Sequence, residues 1–275
     1  MPALRELRQP NRSLRILRPL RQAASPGGLI IGQRPDAPDA EIERAAEAFA
    51  AIIAPFFDEL RRVLLAERFD AINSVRASRV RRAVAEAERR YARRFGDQIR
   101  TREAERFVTE VEARTAAQID RSIRSTGTAP GEVTVSDARA GAVEAAARSL
   151  ADLQRDVSRQ AALLVSLERA LATEGAEPDR DAVARILEER GAAARGRARN
   201  AANIVLRRFA GDVVQERLRA AGLEEYVWGP TTSAEPRELH ERYRGQRFRI
   251  DSPPLGGHPG EQWGCKCQMI PVRAR

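Results

Sequence analysis

The sequence predicts a mainly α protein, with long helical bundle or hairpin segments followed by a small C-terminal α+β module that a zinc ion can stabilise. Three observations carry that expectation. Of 275 residues, 43% are hydrophobic but only 5% aromatic and 32% charged, a balance that suits alanine-rich amphipathic helices better than a sandwich or barrel. Apolar residues recur at heptad spacing in long runs before Gly222. After Gly222 the period shortens to two, and both histidines and both cysteines fall between His240 and Cys267.

Residues 1–39 read as a flexible basic arm. Arg5, Arg8, Arg12, Arg15, Arg18 and Arg21 alternate with Leu4, Leu7, Leu14 and Leu17, but Pro10 and Pro19 interrupt any long helix. A helical domain is expected over 40–125. Ile42, Phe49, Phe56 and Val63 form one row and Ala46, Ile53 and Leu60 a second beside it, with Pro55 set to kink or divide the helix. From Val75 to Arg124 the apolar face is Val80, Val84, Ala87 and Tyr91, then Val108, Val111 and Ile119, and the rest is dense in Arg and Glu at helical spacing. Ser125 to Gly131 breaks the pattern, so 126–135 reads as a linker, with helix caps on offer from Thr134 to Asp137.

The helical segment 136–222 follows. Val143, Leu150, Val157, Leu164 and Leu171 occupy successive a positions with Ala146, Leu153, Gln160 and Leu167 at d, a stripe suited to packing within the chain or against a second copy. Next come a short helix from Asp179 to Arg190, ended by Gly191, and another from about Ala193 to Ala221, ended by Gly222. In 223–275, the pairs Tyr226 and Trp228, Phe248 and Ile250, and Met269 and Val272 predict short strands joined by Gly- and Pro-rich loops.

The net charge of +9 favours a polyanionic neighbour such as nucleic acid. Lys266 is the only lysine, and so complete a preference for arginine reflects base composition more than contacts. A disulfide within Cys265-Lys266-Cys267 would close a small strained ring, no stretch reaches the roughly 20 apolar residues of a membrane span, and the N-terminus lacks the apolar core of a secretory signal. The expected setting is a reducing cytoplasm.

His240, His258, Cys265 and Cys267 together make the four N and S ligands of a tetrahedral zinc, with Asp251 as an oxygen alternative to one histidine. The competing reading is two ordinary histidines and two small buried thiols. A structural ion is favoured over a catalytic one, because a short glycine-rich module can hardly build a core of its own. GxSxG, Walker and HExxH motifs are absent from the sequence, so no catalytic residue is assigned.

Tyr226-Val227-Trp228, Arg237, His240, Gly245, Phe248, Asp251, Pro253-Pro254, Gly257-His258-Pro259-Gly260, Cys265-Lys266-Cys267 and Pro271-Val272 stand in an order that resembles the C-terminal domain of phage Mu F-like minor head proteins, the phage head morphogenesis proteins. More loosely, Leu163-Leu164-Val165-Ser166 and the run from Arg197 to Asn203 are similar to upstream segments of that family. The chain departs from the pattern at Ser233, Glu235 and Ala202, and Lys266 keeps the charge of the usual arginine without its fork.

The resemblance implies a structural, non-enzymatic minor capsid protein of a tailed double-stranded DNA phage or prophage. It implies a place inside the prohead after assembly in the host cytoplasm, with the portal protein, scaffold or capsid protein and non-specific double-stranded DNA as partners, and a part in head morphogenesis and DNA packaging or delivery. Self-association through the heptads is compatible with it. One rival is a metal-dependent nuclease that uses the C-terminal His/Cys site. Another is a fusion carrying a toxin or effector domain, for which the eight residues after Cys267 leave no expected room.

Overall fold

A computed structural model describes residues 29–35, 39–51, 55–56, 58–59, 61–62, 73–94, 97–133, 135–149, 151–152, 155 and 180–274. Its elements are β1 (Leu29–Ile31), α1 (Asp39–Ala51), α2 (Asn73–Arg94), α3 (Asp97–Arg124), a helical segment over 136–149, α4 (Arg180–Ala220), β2 (Glu225–Trp228), α5 (Glu238–Tyr243), β3 (Arg247–Arg249) and β4 (Met269–Ala274). The chain is mainly helical with a small C-terminal antiparallel sheet, as the composition and the change of period predict.

The amphipathic rows do what their spacing implies. Ile42, Ala46 and Phe56 are buried, as are Val84, Ala87 and Tyr91 on α2 and Val108, Val111 and Ile119 on α3. The side chains of Phe49 and Val80, together with Ile53, Leu60 and Val63, lie outside the described residues. So do the heptads from Leu150 to Leu171; of that stripe only Val143 and Ala146 are described, and both are buried. One core draws Ile42 and Ala46 from α1, Phe107 and Val111 from α3, Val143 from the 136–149 segment and Leu206, Phe209 and Val213 from α4. The spans 40–125 and 136–222 therefore share apolar packing, because no one of these helices buries its stripe alone.

Two features depart from the sequence expectation. Gly191 does not end a helix: it is buried within α4, which runs unbroken for 41 residues, about 60 Å at the α-helical rise. A single glycine costs a helix only about 1 kcal/mol relative to alanine, and Ala192-Ala193-Ala194 with nearby arginines are strong helix formers that carry the chain through. The true stop is Gly222, at φ +70°, where Leu223 N–H donates to Leu218 O and Gly222 N–H to Arg219 O, both at 2.9 Å. These are the two bonds of a Schellman cap, and Leu218 and Leu223 make its apolar contact.

The second departure is β1. Residues 29–31 lie inside the span read as an arm, yet they pair antiparallel with β4, Ile30 opposite Arg273. Leu29-Ile30-Ile31 is a short apolar, β-branched run, and the charge of the upstream arginines hides it in a composition-based reading. Gly32 follows, and a Cβ there would sit 2.8 Å from both Pro271 Cγ and Ser122 O, so only glycine lets the strand leave the sheet against α3.

The sheet order is β1-β4-β2-β3, all neighbours antiparallel. Tyr226 and Trp228 point inward from β2 onto Ile119 and Ile123 of α3 and Leu218 of α4, with Ile250 and Met269 completing the layer. The C-terminal module thus sits on the ends of two long helices.

Candidate metal centre

Trp228 anchors the site. Its ring is 1% exposed at the end of β2, and His240, Tyr243 and Phe248 meet it edge-on with centroids at 5.2, 5.1 and 5.8 Å. Such aromatic contacts fix ring planes, so α5, only six residues long, is held by packing rather than by its own backbone. Gly245, at φ +78°, turns the chain from α5 into β3 and bonds its N–H to Trp228 O at 2.8 Å. His240 is thereby carried inward, at 5% exposure.

The cysteines arrive from the other side, just before β4. Gly229 N–H donates to Gln268 O at 2.8 Å, extending the β2–β4 pairing and seating Cys265-Lys266-Cys267 across from His240. The ligand atoms of His240, Cys265 and Cys267 all lie within 4.8 Å of one another, with Nδ1 of His240 at 3.5 Å from each sulfur.

The tautomer is set by Gln262. Its Oε1 accepts from Arg237 Nη1 at 3.2 Å, which fixes the amide orientation, and stands 2.9 Å from His240 Nε2. The imidazole proton therefore belongs on Nε2, which leaves the Nδ1 lone pair facing the two sulfurs. Supporting acceptors of this kind orient metal-bound histidines.

The thiols are also biased toward a cation. The Cys265 thiol is pulled down to about 5, first by a hydrogen bond from Cys267 and then by the backbone N–H groups of Gly260 and Cys267, against the burial that opposes it. Cys267 moves upward, because the same hydrogen bond holds its proton and because it is buried. The pair shares one proton. The indole N–H of Trp228 and the Thr231 hydroxyl lie toward the Cys267 sulfur and favour its thiolate, and Trp228 Nε1 is buried without a hydrogen-bond partner. The donors thus fit a soft, tetrahedral ion such as zinc at three of its four positions.

His258 is not in this group. Its ring is 4% exposed in a different layer, with Nδ1 2.9 Å from Tyr226 Oη and Nε2 3.1 Å from Ile250 O. A carbonyl only accepts, so Nε2 carries the proton and Nδ1 accepts from the tyrosine; neither nitrogen is left for a metal. Burial lowers its pKa, in keeping with a neutral ring. Asp251 is exposed, and both its oxygens pair with Arg249 at 2.9 Å. Of the sequence-predicted ligands the fold brings together His240, Cys265 and Cys267, and leaves out His258 and Asp251. Gln262 and Thr231 were not singled out from the sequence, since nothing in the spacing of an amide or a hydroxyl announces a supporting role.

Residues 166–270 match the family model described as Phage Mu protein F like protein, a span that holds β2, α5, β3 and the whole triad. This span is similar to phage Mu F-like proteins. It also holds the Tyr226–His258 pair. An uncharacterized protein of Haemophilus influenzae is 34% identical over 61 residues, which is 22% of this chain and 14% of that protein. The match therefore spans a small part of that relative's length. No solved structure matches the chain.

Proposed function

We propose that this chain is a minor structural protein of a tailed double-stranded DNA phage or prophage, acting in head morphogenesis, with a C-terminal module pinned by a zinc ion at His240, Cys265 and Cys267. The similarity to phage Mu F-like proteins supports a head morphogenesis role. The observation that carries the metal part is the convergence of three soft donors with the histidine tautomer already set. The ion would stabilise a module built largely from turns, with the portal, scaffold or capsid protein and the phage genome as partners. Arginine-rich helices would contact DNA through phosphates, without sequence preference and with strong salt dependence.

The nuclease reading needs a histidine base beside the metal. His258 has both nitrogens engaged, so nothing in this geometry favours that division of labour.

The test has two arms. Particles and proheads from the induced prophage or phage are probed for the chain by immunoblot; presence in proheads supports the reading, and absence from both overturns it. The purified protein is assayed for metal and melted with and without chelator. About one zinc per chain and a lower midpoint with chelator are expected. No zinc and an unchanged midpoint remove the metal from the proposal.

A further inference from the structure

The triad supplies three donors, and a structural zinc takes four. Against the cysteine clip lies a cavity of about 70 Å³, whose lining includes Cys265, Lys266 and Cys267 together with Asp39, Thr115 and Arg207. Among the described residues lining it, Asp39 alone carries a carboxylate. We propose that Asp39, the first residue of α1, is the fourth ligand of the ion held by His240, Cys265 and Cys267. This rests on the metal reading above.

Four observations place that carboxylate. Asp39 accepts a hydrogen bond from Thr232, the sequence neighbour of Thr231, whose hydroxyl lies toward the Cys267 sulfur. Lys266, between the two cysteines, lies 3.9 Å from Glu43, one turn further along α1, so the start of this helix sits on the clip. The Asp39 side chain is turned inward, at 21% exposure. Arg207, at 5% side-chain exposure, donates to its other oxygen and is itself held by Asn203.

In the structure Oδ2 is taken by Thr232 and Oδ1 by Arg207. Ligation exchanges Thr232 for the ion at Oδ2 by side-chain rotation into the cavity, while Arg207 stays on Oδ1 as the outer partner that metal-bound carboxylates use. Charge agrees with this. Two thiolates and a neutral imidazole neutralise a divalent cation, and the extra negative charge of Asp39 is offset by Arg207 and Lys266. The consequence is mechanical: the ion would fasten α1 to the C-terminal module, so that metal binding would join two parts of the chain more than 200 residues apart in sequence.

Cobalt(II) as the probe ion tests this on the full chain, through its visible bands and the response to added azide at constant ionic strength. The wild type is expected to show a four-coordinate spectrum that azide leaves unchanged. Asp39→Ala and Asp39→Asn, the second of which keeps hydrogen-bonding capacity toward Arg207 and Thr232, are expected to bind cobalt at least about tenfold more weakly and to shift saturably with azide. Asp39→Glu should recover part of the azide resistance. The proposal is overturned if azide shifts the wild type as readily as the variants, which would make the fourth ligand solvent. It is equally overturned if the Asn variant binds and absorbs like the wild type. A wild type that takes up no cobalt sinks the metal reading itself, a result distinct from either of these.

Discussion

Tyr226→Phe tests the assignment of His258 as a structural residue. Tyr226 is fully buried, and its hydroxyl makes a 2.9 Å bond to a ring that is 4% exposed. Deleting that oxygen leaves His258 Nδ1 as a buried acceptor with no donor, while the aromatic contacts to Phe248 at 6.0 Å and to His258 at 5.5 Å can persist. A buried polar group left unpaired costs about 1–3 kcal/mol, so a loss of about 2 kcal/mol is expected. At the usual sensitivity of chains this long, that corresponds to roughly 4–8 °C in melting temperature. Urea unfolding followed by tryptophan emission is the assay, since Trp228 is 1% exposed and reports on this layer, whereas Trp263 is 67% exposed and changes little. Metal content should be unaffected. A loss below about 0.5 kcal/mol at unchanged slope would mean that His258 is satisfied some other way, and a loss of metal uptake would mean that it belongs to the metal centre after all.

The same ring predicts an acid dependence. Burial depresses the folded-state pKa of His258, so between that value and the unfolded value near 6.5 the unfolded chain binds the extra proton. Its contribution to stability is complete above about pH 6.5 and falls as the pH drops toward the folded pKa; His258→Gln should flatten this slope in melts across pH 4.5–7.5, and an unchanged slope would refute the assignment. Gln262→Leu should weaken zinc or cobalt binding by roughly 10–100-fold through loss of the His240 tautomer lock, read by competition with a chromogenic chelator. Gly131→Ala places a Cβ 2.6 Å from the Ala220 carbonyl carbon, backbone that cannot step aside, and should cost about 1–3 kcal/mol in urea melts. Arg217 reaches both oxygens of Asp120, at 3.2 and 2.9 Å, across the α3–α4 contact with both side chains partly buried. A double-mutant cycle to alanine should return a coupling of about 1 kcal/mol that shrinks with salt, and zero coupling would make the pair incidental.

How much was legible follows from the range of each signal. Helical rows such as Val84, Ala87 and Tyr91, the stop at Gly222 and the inward pair Tyr226 and Trp228 were readable because periodicity and cap chemistry act within a few residues. Gly191 misled because a breaker propensity of about 1 kcal/mol is smaller than what neighbouring alanines and tertiary packing supply. The ligand cluster was half readable. Four soft donors in a short run announce a site, but sequence distance does not say which layer a side chain enters. His258 and Cys265 are seven residues apart, and the loop between them sends the imidazole to Tyr226 and the sulfur to His240.

Local chemistry and period were enough for the fold class, the change from helices to small strands, the helix stop at Gly222 and the presence of a soft-ligand cluster. Which ligands meet, the closing of the sheet by β1 beside β4, and the shared cavity of Asp39 and the cysteine clip came from the packing of distant segments. Those depend on contacts between segments up to about 240 residues apart, where the burial of apolar stripes sets the neighbours and no local pattern records the outcome.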